Sequence, residues 1–333
     1  MPLVPFSNRR FRGLVDPALE PPPVLLEDPE KVEDLPGVET LLACEGRHIF
    51  RLEVSYAGDR TPAFLYCFHN GSWSRTCRRT AAIRIARKAQ QLRAAGIPTL
   101  DVWAAFRPKY QLRNRRSYLV AAEIPDVAEL PAVGCHIYQL HSWTRLDPTV
   151  LLHLAGAVAR LHSAGFTHGD LKARHVLVRR MPHEEPVVYL VDLEKTAKIG
   201  RLPAPLRDAL AARDWIQLLA SLDTTAAVGD DGRPVRDAAE FLLERYFALR
   251  SLAPRRRRRI RRFIELYRTR DGFRQGATLL QNLWWRLTRN SRATASATPR
   301  LHRTGPPTSA AQHRGCEPAP GKEPASAHTQ VRY

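Results

Sequence analysis

The sequence predicts an α+β chain of two lobes, a small one built on an antiparallel sheet and a larger one that is mostly helical. Three observations carry this expectation. Between Thr40 and Glu123, short aliphatic and aromatic runs alternate with turn residues around a single helical stretch, as antiparallel strands do. From Asp147 onward, apolar residues recur at helical spacing in one segment after another. Within that helical half, FTHGDLKARHVLV at 166–178 and VVYLVDLEKT at 187–196 read as a hairpin whose ends bring two aspartates into one cleft.

The bulk composition agrees with a globular chain. At 44% hydrophobic and 26% charged, 333 residues can build two cores, and disorder throughout is excluded. The formal charge of +19 is uneven, because residues 251–333 hold 18 Lys and Arg against 4 Asp and Glu. The five cysteines, Cys44, Cys67, Cys77, Cys135 and Cys316, contain no C-x-x-C pair, which is the usage of a reducing compartment without a structural zinc. The N-terminus lacks the apolar segment of a signal peptide, and no window approaches the roughly 18 apolar residues of a membrane span. The expectation is a cytoplasmic protein with no transmembrane segment.

Taken in order, residues 1–37, with PPP at 21–23, read as an extended leader. Residues 38–123 form the small lobe. LLACEGRHIFRLEV and TPAFLYCFHNG are strands separated by the turn Tyr56-Ala57-Gly58-Asp59; Thr76 to Ala95 is a helix stopped by Gly96 and Pro98; DVWAAF and SYLVAAE are two further strands. Residues 124–289 form the large lobe. Asp147-Pro148 starts a strong helix that runs to Gly165, the aspartate hairpin follows, and RDALAARDWIQLLASL, DAAEFLLERYFALRSL, RRRRRIRRFIELYR and ATLLQNLWWRLTR are helical. Residues 290–333 have no apolar period and read as a disordered tail.

The chemistry lies in the hairpin. A loop displaying His168, Asp170, Lys172 and His175 precedes one strand, and Asp192 follows the other. An aspartate can orient a hydroxyl, a second aspartate can hold Mg2+, and a lysine can meet a phosphoryl oxygen; phosphoryl transfer needs those parts.

This order of elements and motifs resembles the protein-kinase-like fold, with HGDLKARH as the catalytic loop and DLE as the metal motif. Within that fold the chain is most similar to the lipopolysaccharide core kinases of the Kdo/WaaP (InaA-like) family. RHVLV, VYLVDLEKT, IFRLEV and RAAGIPTL carry the similarity, which covers about residues 38–285. The resemblance implies a two-lobed kinase-like fold and ATP-dependent phosphorylation of a sugar or lipid-linked glycan, with Mg2+ as cofactor. It implies Asp170 as catalytic base or orienting residue, Lys172 as phosphate contact, Asp192 as metal ligand and Glu123 at the adenine hinge. His168 would pack behind the metal motif, and Asp214 would prop the catalytic loop. His175 stands where protein kinases place a second metal-binding asparagine, and Gly46 in CEGRHIF is the small lobe's one glycine-loop candidate for nucleotide.

Two family positions depart from the pattern. Alignment puts Cys67 at the strand lysine that meets the α- and β-phosphates and Ile85 at the helix glutamate that holds it, and no Asp or Glu occurs from Thr61 to Leu100. Lys88, Arg75, Arg78, Arg79 and Arg84 are substitute cations or a solvated basic face. The alternative function is a pseudokinase that binds nucleotide or a partner without turnover. Residues 255–289 suit an anionic membrane surface, with seven arginines in the eight residues 255–262, Ile260, Phe263, Ile264 and Tyr267 at helical spacing, and Trp284 and Trp285 beyond. The other reading has those helices packed on the large lobe. Nucleic acid is the least supported partner, since no base-reading module accompanies the charge.

Overall fold

In a computed structural model, which describes residues 2–20, 25, 28–44, 46–69, 80–109, 116–130, 147–222 and 238–268, the chain divides into Met1–Leu287 and Thr288–Tyr333. Every described residue belongs to the first unit. The tail, the segment with Trp284 and Trp285, Arg75, Arg78 and Arg79 lie outside the described residues.

The small lobe is an antiparallel sheet of eight described strands: Val4–Ser7 (β1), Phe11–Val15 (β2), Leu19–Glu20 (β3), Glu39–Cys44 (β4), Arg47–Tyr56 (β5), Asp59–His69 (β6), Val102–Pro108 (β7) and Arg116–Ala122 (β8). Their order is β1-β2-β7-β8-β6-β5-β3, with β4 also on β5. The β5–β6 hairpin turns through Ala57 at φ 54° and Gly58 at φ 90°, two positive angles that match the twist of the flanking strands. Helix Ala81–Ala94 (α1) lays Ala82, Ile85, Ala86, Ala89 and Leu92 on one face of the sheet, in a core shared with Ile49, Tyr66 and Phe68.

The sheet corrects the reading of residues 1–37 as a leader. β2 pairs with β7, Phe11 opposite Pro108 and Val15 opposite Ala104, while β3 pairs with β5 at the other side of the sheet. The connection between them is pinned by buried Asp16, which accepts hydrogen bonds from Ala18 N at 3.0 Å and Tyr56 Oη at 3.2 Å. Phe11, Leu19, Leu25 and Val32 are buried against Phe50, Leu65, Trp103, Phe106 and Tyr118 on the face opposite α1. At about 1.5–3 kcal/mol for each large side chain removed from water, this segment is part of the core. Gly13 allows it: a Cβ there would fall 2.1 Å from Ala105 O.

The large lobe begins at Pro148–Ser163 (α2), capped by Asp147 accepting from Val150 N at 2.8 Å. Gly165, at φ 77°, ends it and releases the chain into the hairpin. Val176–Arg179 pairs with both Val187–Leu190 and Val127–Glu129 in a small antiparallel sheet, and Phe166–Thr167 pairs with Ala197–Lys198. Helices Ala204–Ser221 (α3), Ala238–Leu249 (α4) and Pro254–Arg268 (α5) complete the lobe.

The basic helix α5 packs inward. Ile260 and Ile264 are buried, Arg256 and Arg259 pair with fully buried Asp208 of α3 at 2.6 and 3.3 Å, and Arg261 pairs with Glu240 and Glu244 of α4. An apolar face of this helix is therefore not available to a membrane. Arg255, Arg258 and Arg262 are its exposed arginines. No helix among the described residues is long and apolar enough to cross a membrane.

Candidate active site

The loop after α2 owes its shape to Asp214. This aspartate on α3 is fully buried; it accepts from Thr167 Oγ1 at 2.6 Å, His168 N at 2.7 Å and Gly169 N at 2.9 Å, with His162 Nε2 at 3.2 Å. Burial opposes its ionisation, but His162, Arg213 and Thr167 together hold the carboxyl well below the usual carboxylate range. His162 passes the network on to Tyr246 Oη at 2.8 Å. A helix carboxylate thus ties down three consecutive loop residues.

His168, fully buried, donates from Nε2 to Val191 O at 2.9 Å, so it lies directly behind the strand that delivers Asp192. Gly169 is the point of closest approach between the two loops. Its φ is 86°, and a Cβ would stand 2.4 Å from Lys195 O, so any side chain there would force the loops apart.

Asp170 follows, with only the edge of its carboxylate exposed. Lys195 Nζ donates to Oδ2 at 2.8 Å, and Lys172 Nζ is 3.0 Å from Oδ1. Burial alone would raise its pKa, but the two ammonium groups overcome that and hold it at about 2. Such a carboxylate stays ionised at neutral pH and is a weak base. It can accept a hydrogen bond from a hydroxyl and so orient it.

His175 joins the two aspartates. Nδ1 donates to Asp170 O at 2.7 Å, which leaves the Nε2 lone pair 3.4 Å from Asp192 Oδ2. Burial lowers the imidazole pKa to about 4, so the ring is neutral. Nε2 is buried and has no hydrogen-bond partner among the described residues. Asp192 has φ 58° and ψ 59°, a left-handed conformation that a non-glycine residue adopts at a cost of about 1–3 kcal/mol. A neutral imidazole lone pair beside a carboxylate oxygen is a donor set that fits a divalent cation.

The small lobe adds cations that the sequence reading placed elsewhere or missed. Cys67 sits on the face of β6 with Phe11 and Trp103, while Tyr66 and Phe68 face α1. The alignment of Cys67 with the strand lysine is thus one residue out of register with the cleft, and side chains alternate along a strand, so that slip reverses the face. Tyr66 and Phe68 occupy the inward positions on either side of Cys67. Ile85 is buried in the α1 core, and one turn later Lys88 sends Nζ to Leu193 O at 3.0 Å and Glu194 O at 2.7 Å. Burial first, then Arg84, lowers the Lys88 pKa to about 8. Helix α1 therefore grips the loop after Asp192 with a cation instead of an acid.

Arg47, the first residue of β5, reaches the same loop: its Nη2 is 3.7 Å from Asp192 Oδ1. It was legible as the basic residue after Gly46, whose φ of 88° turns the β4–β5 connection. Lys195 was legible too, three residues beyond Asp192. Gly46 O accepts from His69 N at 2.8 Å, which anchors that turn to β6. The Glu123 side chain accepts from Arg51 Nε at 2.8 Å.

The family model described as the lipopolysaccharide kinase (Kdo/WaaP) family matches residues 68–241, a segment that contains Glu123, Asp170, Lys172, His175, Asp192 and Asp214. A solved structure described as WaaP in complex with acyl carrier protein has a TM-score of 0.49 and 20% identity, covering 79% of this chain and 98% of that one. No curated protein sequence matches the chain.

Proposed function

Because the chain belongs to the lipopolysaccharide kinase (Kdo/WaaP) family, we propose that it transfers the γ-phosphate of ATP to a hydroxyl of a lipopolysaccharide core sugar or related lipid-linked glycan. The observation that supports this best is the pairing of Asp170 and Asp192 through one histidine, with Lys172, Lys195 and Arg47 around them. Asp170 would orient the acceptor hydroxyl and accept its proton late. Lys172 and Lys195 would exchange part of their hold on Asp170 for the incoming phosphoryl oxygens. Asp192 and His175 would hold Mg2+, which when bound neutralises charge on the β- and γ-phosphates. Asp214 and His168 touch neither reactant; they fix the loop that does.

A second reading, binding without turnover, is favoured by the lack of any lysine in β6 and of any glutamate in α1, where the family pattern expects an ion pair. The two readings separate on one pair of measurements with the full chain: Mg2+-dependent ATP binding, and turnover in Asp170→Asn. Turnover by the wild type that drops at least 100-fold in Asp170→Asn while ATP still binds supports the enzyme. Equal binding by both with no turnover by either supports the second reading.

For location, we propose the cytoplasmic face of the inner membrane, where such acceptors are assembled, with the exposed Arg255, Arg258 and Arg262 toward anionic headgroups.

A further inference from the structure

We infer that Arg47 is a phosphate contact for the bound nucleotide and supplies the positive charge that a strand lysine provides in other kinases. The inference rests on the reading of the cleft as a nucleotide site, but Arg47 lies upstream of the residues matched by the family model, so that match does not bear on it.

The position of Arg47 is fixed by the strand. It stands opposite Phe68 in the β5–β6 register, on the same side of the sheet as Ile49, two residues on, which belongs to the core beneath α1. Its guanidinium lies over the rings of Phe68 and Tyr66, with centroids 5.4 and 5.8 Å away. Cation–π contacts of this kind favour a guanidinium seated against the rings. Its Nη2 lies 3.7 Å from Asp192 Oδ1 and 4.0 Å from Glu194 Oε1. The side chain remains about one-fifth exposed, so a ligand can reach it.

The other cations of the cleft have different work. Lys88 spends its ammonium on the Leu193 and Glu194 carbonyls, and Lys172 and Lys195 both engage Asp170. Phe68 and Tyr66 stand inward and serve as the platform on which Arg47 rests. A cation from the neighbouring strand, seated on these two rings, lies beside Asp192. There it would meet a phosphate oxygen with a charge-assisted donor.

The test measures the affinities of ADP with Mg2+ and of adenosine for the full-length wild type, Arg47→Gln and Arg47→Lys by titration calorimetry. The expected result is a loss of at least tenfold in ADP affinity in Arg47→Gln, adenosine affinity within twofold of wild type, and an intermediate ADP loss in Arg47→Lys. Unchanged ADP affinity overturns the inference, and so does an equal loss for ADP and adenosine, which marks a structural role. A wild type that binds neither ligand overturns the nucleotide reading itself and the inference with it.

Discussion

The Nε2 of His175 stands 3.4 Å from Asp192 Oδ2 while its Nδ1 is bonded to the Asp170 carbonyl at 2.7 Å, so one neutral ring spans the two aspartates. Mg2+ prefers oxygen ligands, whereas Mn2+ accepts imidazole readily. Wild-type protein is expected to bind ADP more tightly with Mn2+ than with Mg2+. His175→Asn should reduce that ratio at least several-fold, as measured by calorimetry in each metal.

Asp214 answers three donors on the catalytic loop, and removing it leaves Thr167, His168 N and Gly169 N buried without an acceptor. Asp214→Ala is expected to destabilise the chain by about 3–5 kcal/mol in urea denaturation. Asp214→Asn keeps the shape and part of the bonding and should cost less.

Lys88 donates to two carbonyls of the metal loop. Lys88→Met keeps the length of the stem but removes both charge-assisted bonds, for an expected loss of about 1–3 kcal/mol. Because those carbonyls belong to Leu193 and Glu194, Mg2+-dependent ADP binding should weaken in the same variant.

Acid should destabilise the fold in two stages. His162, His168 and His175 are buried with lowered pKa values, so below about pH 6.5 the unfolded chain binds protons that the folded chain refuses, and stability falls as pH falls. Asp170 and Asp214 have depressed folded pKa values; their contribution is present above the unfolded carboxylate value near pH 4 and is lost as pH drops toward 2. Urea midpoints from pH 7 to pH 3 should decline throughout, and His175→Gln should flatten the upper part of the curve.

Deleting residues 1–20 should expose Trp103, Phe106, Tyr118 and the rest of the outer core. The truncated chain is expected to be insoluble or to melt well below the full chain, and Gly13→Val should behave similarly because its side chain meets Ala105 O. Thermal denaturation of the soluble fraction checks both.

What could be read from sequence followed how local the chemistry is. Asp170, Lys172, His175 and Asp192 fall within one hairpin, so spacing alone brought them together, and the α+β two-lobed architecture followed from strand and helix periods. The strands at 4–20 were missed because their partners lie far along the chain: β2 pairs with residues 104–108, and neither its burial nor the need for Gly13 is visible before that pairing is known. Cys67 was placed at the lysine position by aligning FLYCFHNG on the family's strand; a strand reverses face with every residue, and only the register with Arg47 and Ile49 identifies Phe68 and Tyr66 as the inward side chains. For helix α5 the sequence left packing on the large lobe beside a membrane-facing reading, because its acidic partners, Asp208, Glu240 and Glu244, sit on other helices.

The central claim is phosphoryl transfer to a glycan hydroxyl by the Asp170–Asp192 cleft. The most direct measurement incubates full-length protein, Mg2+ and ATP labelled at the γ-phosphate with lipopolysaccharide carrying an unphosphorylated core, and follows label in the glycan. The account predicts incorporation by wild type and at least a 100-fold decrease in both Asp170→Asn and Asp192→Asn. Incorporation undiminished in those variants, or none by a wild type that binds Mg2+ and ATP, would contradict it.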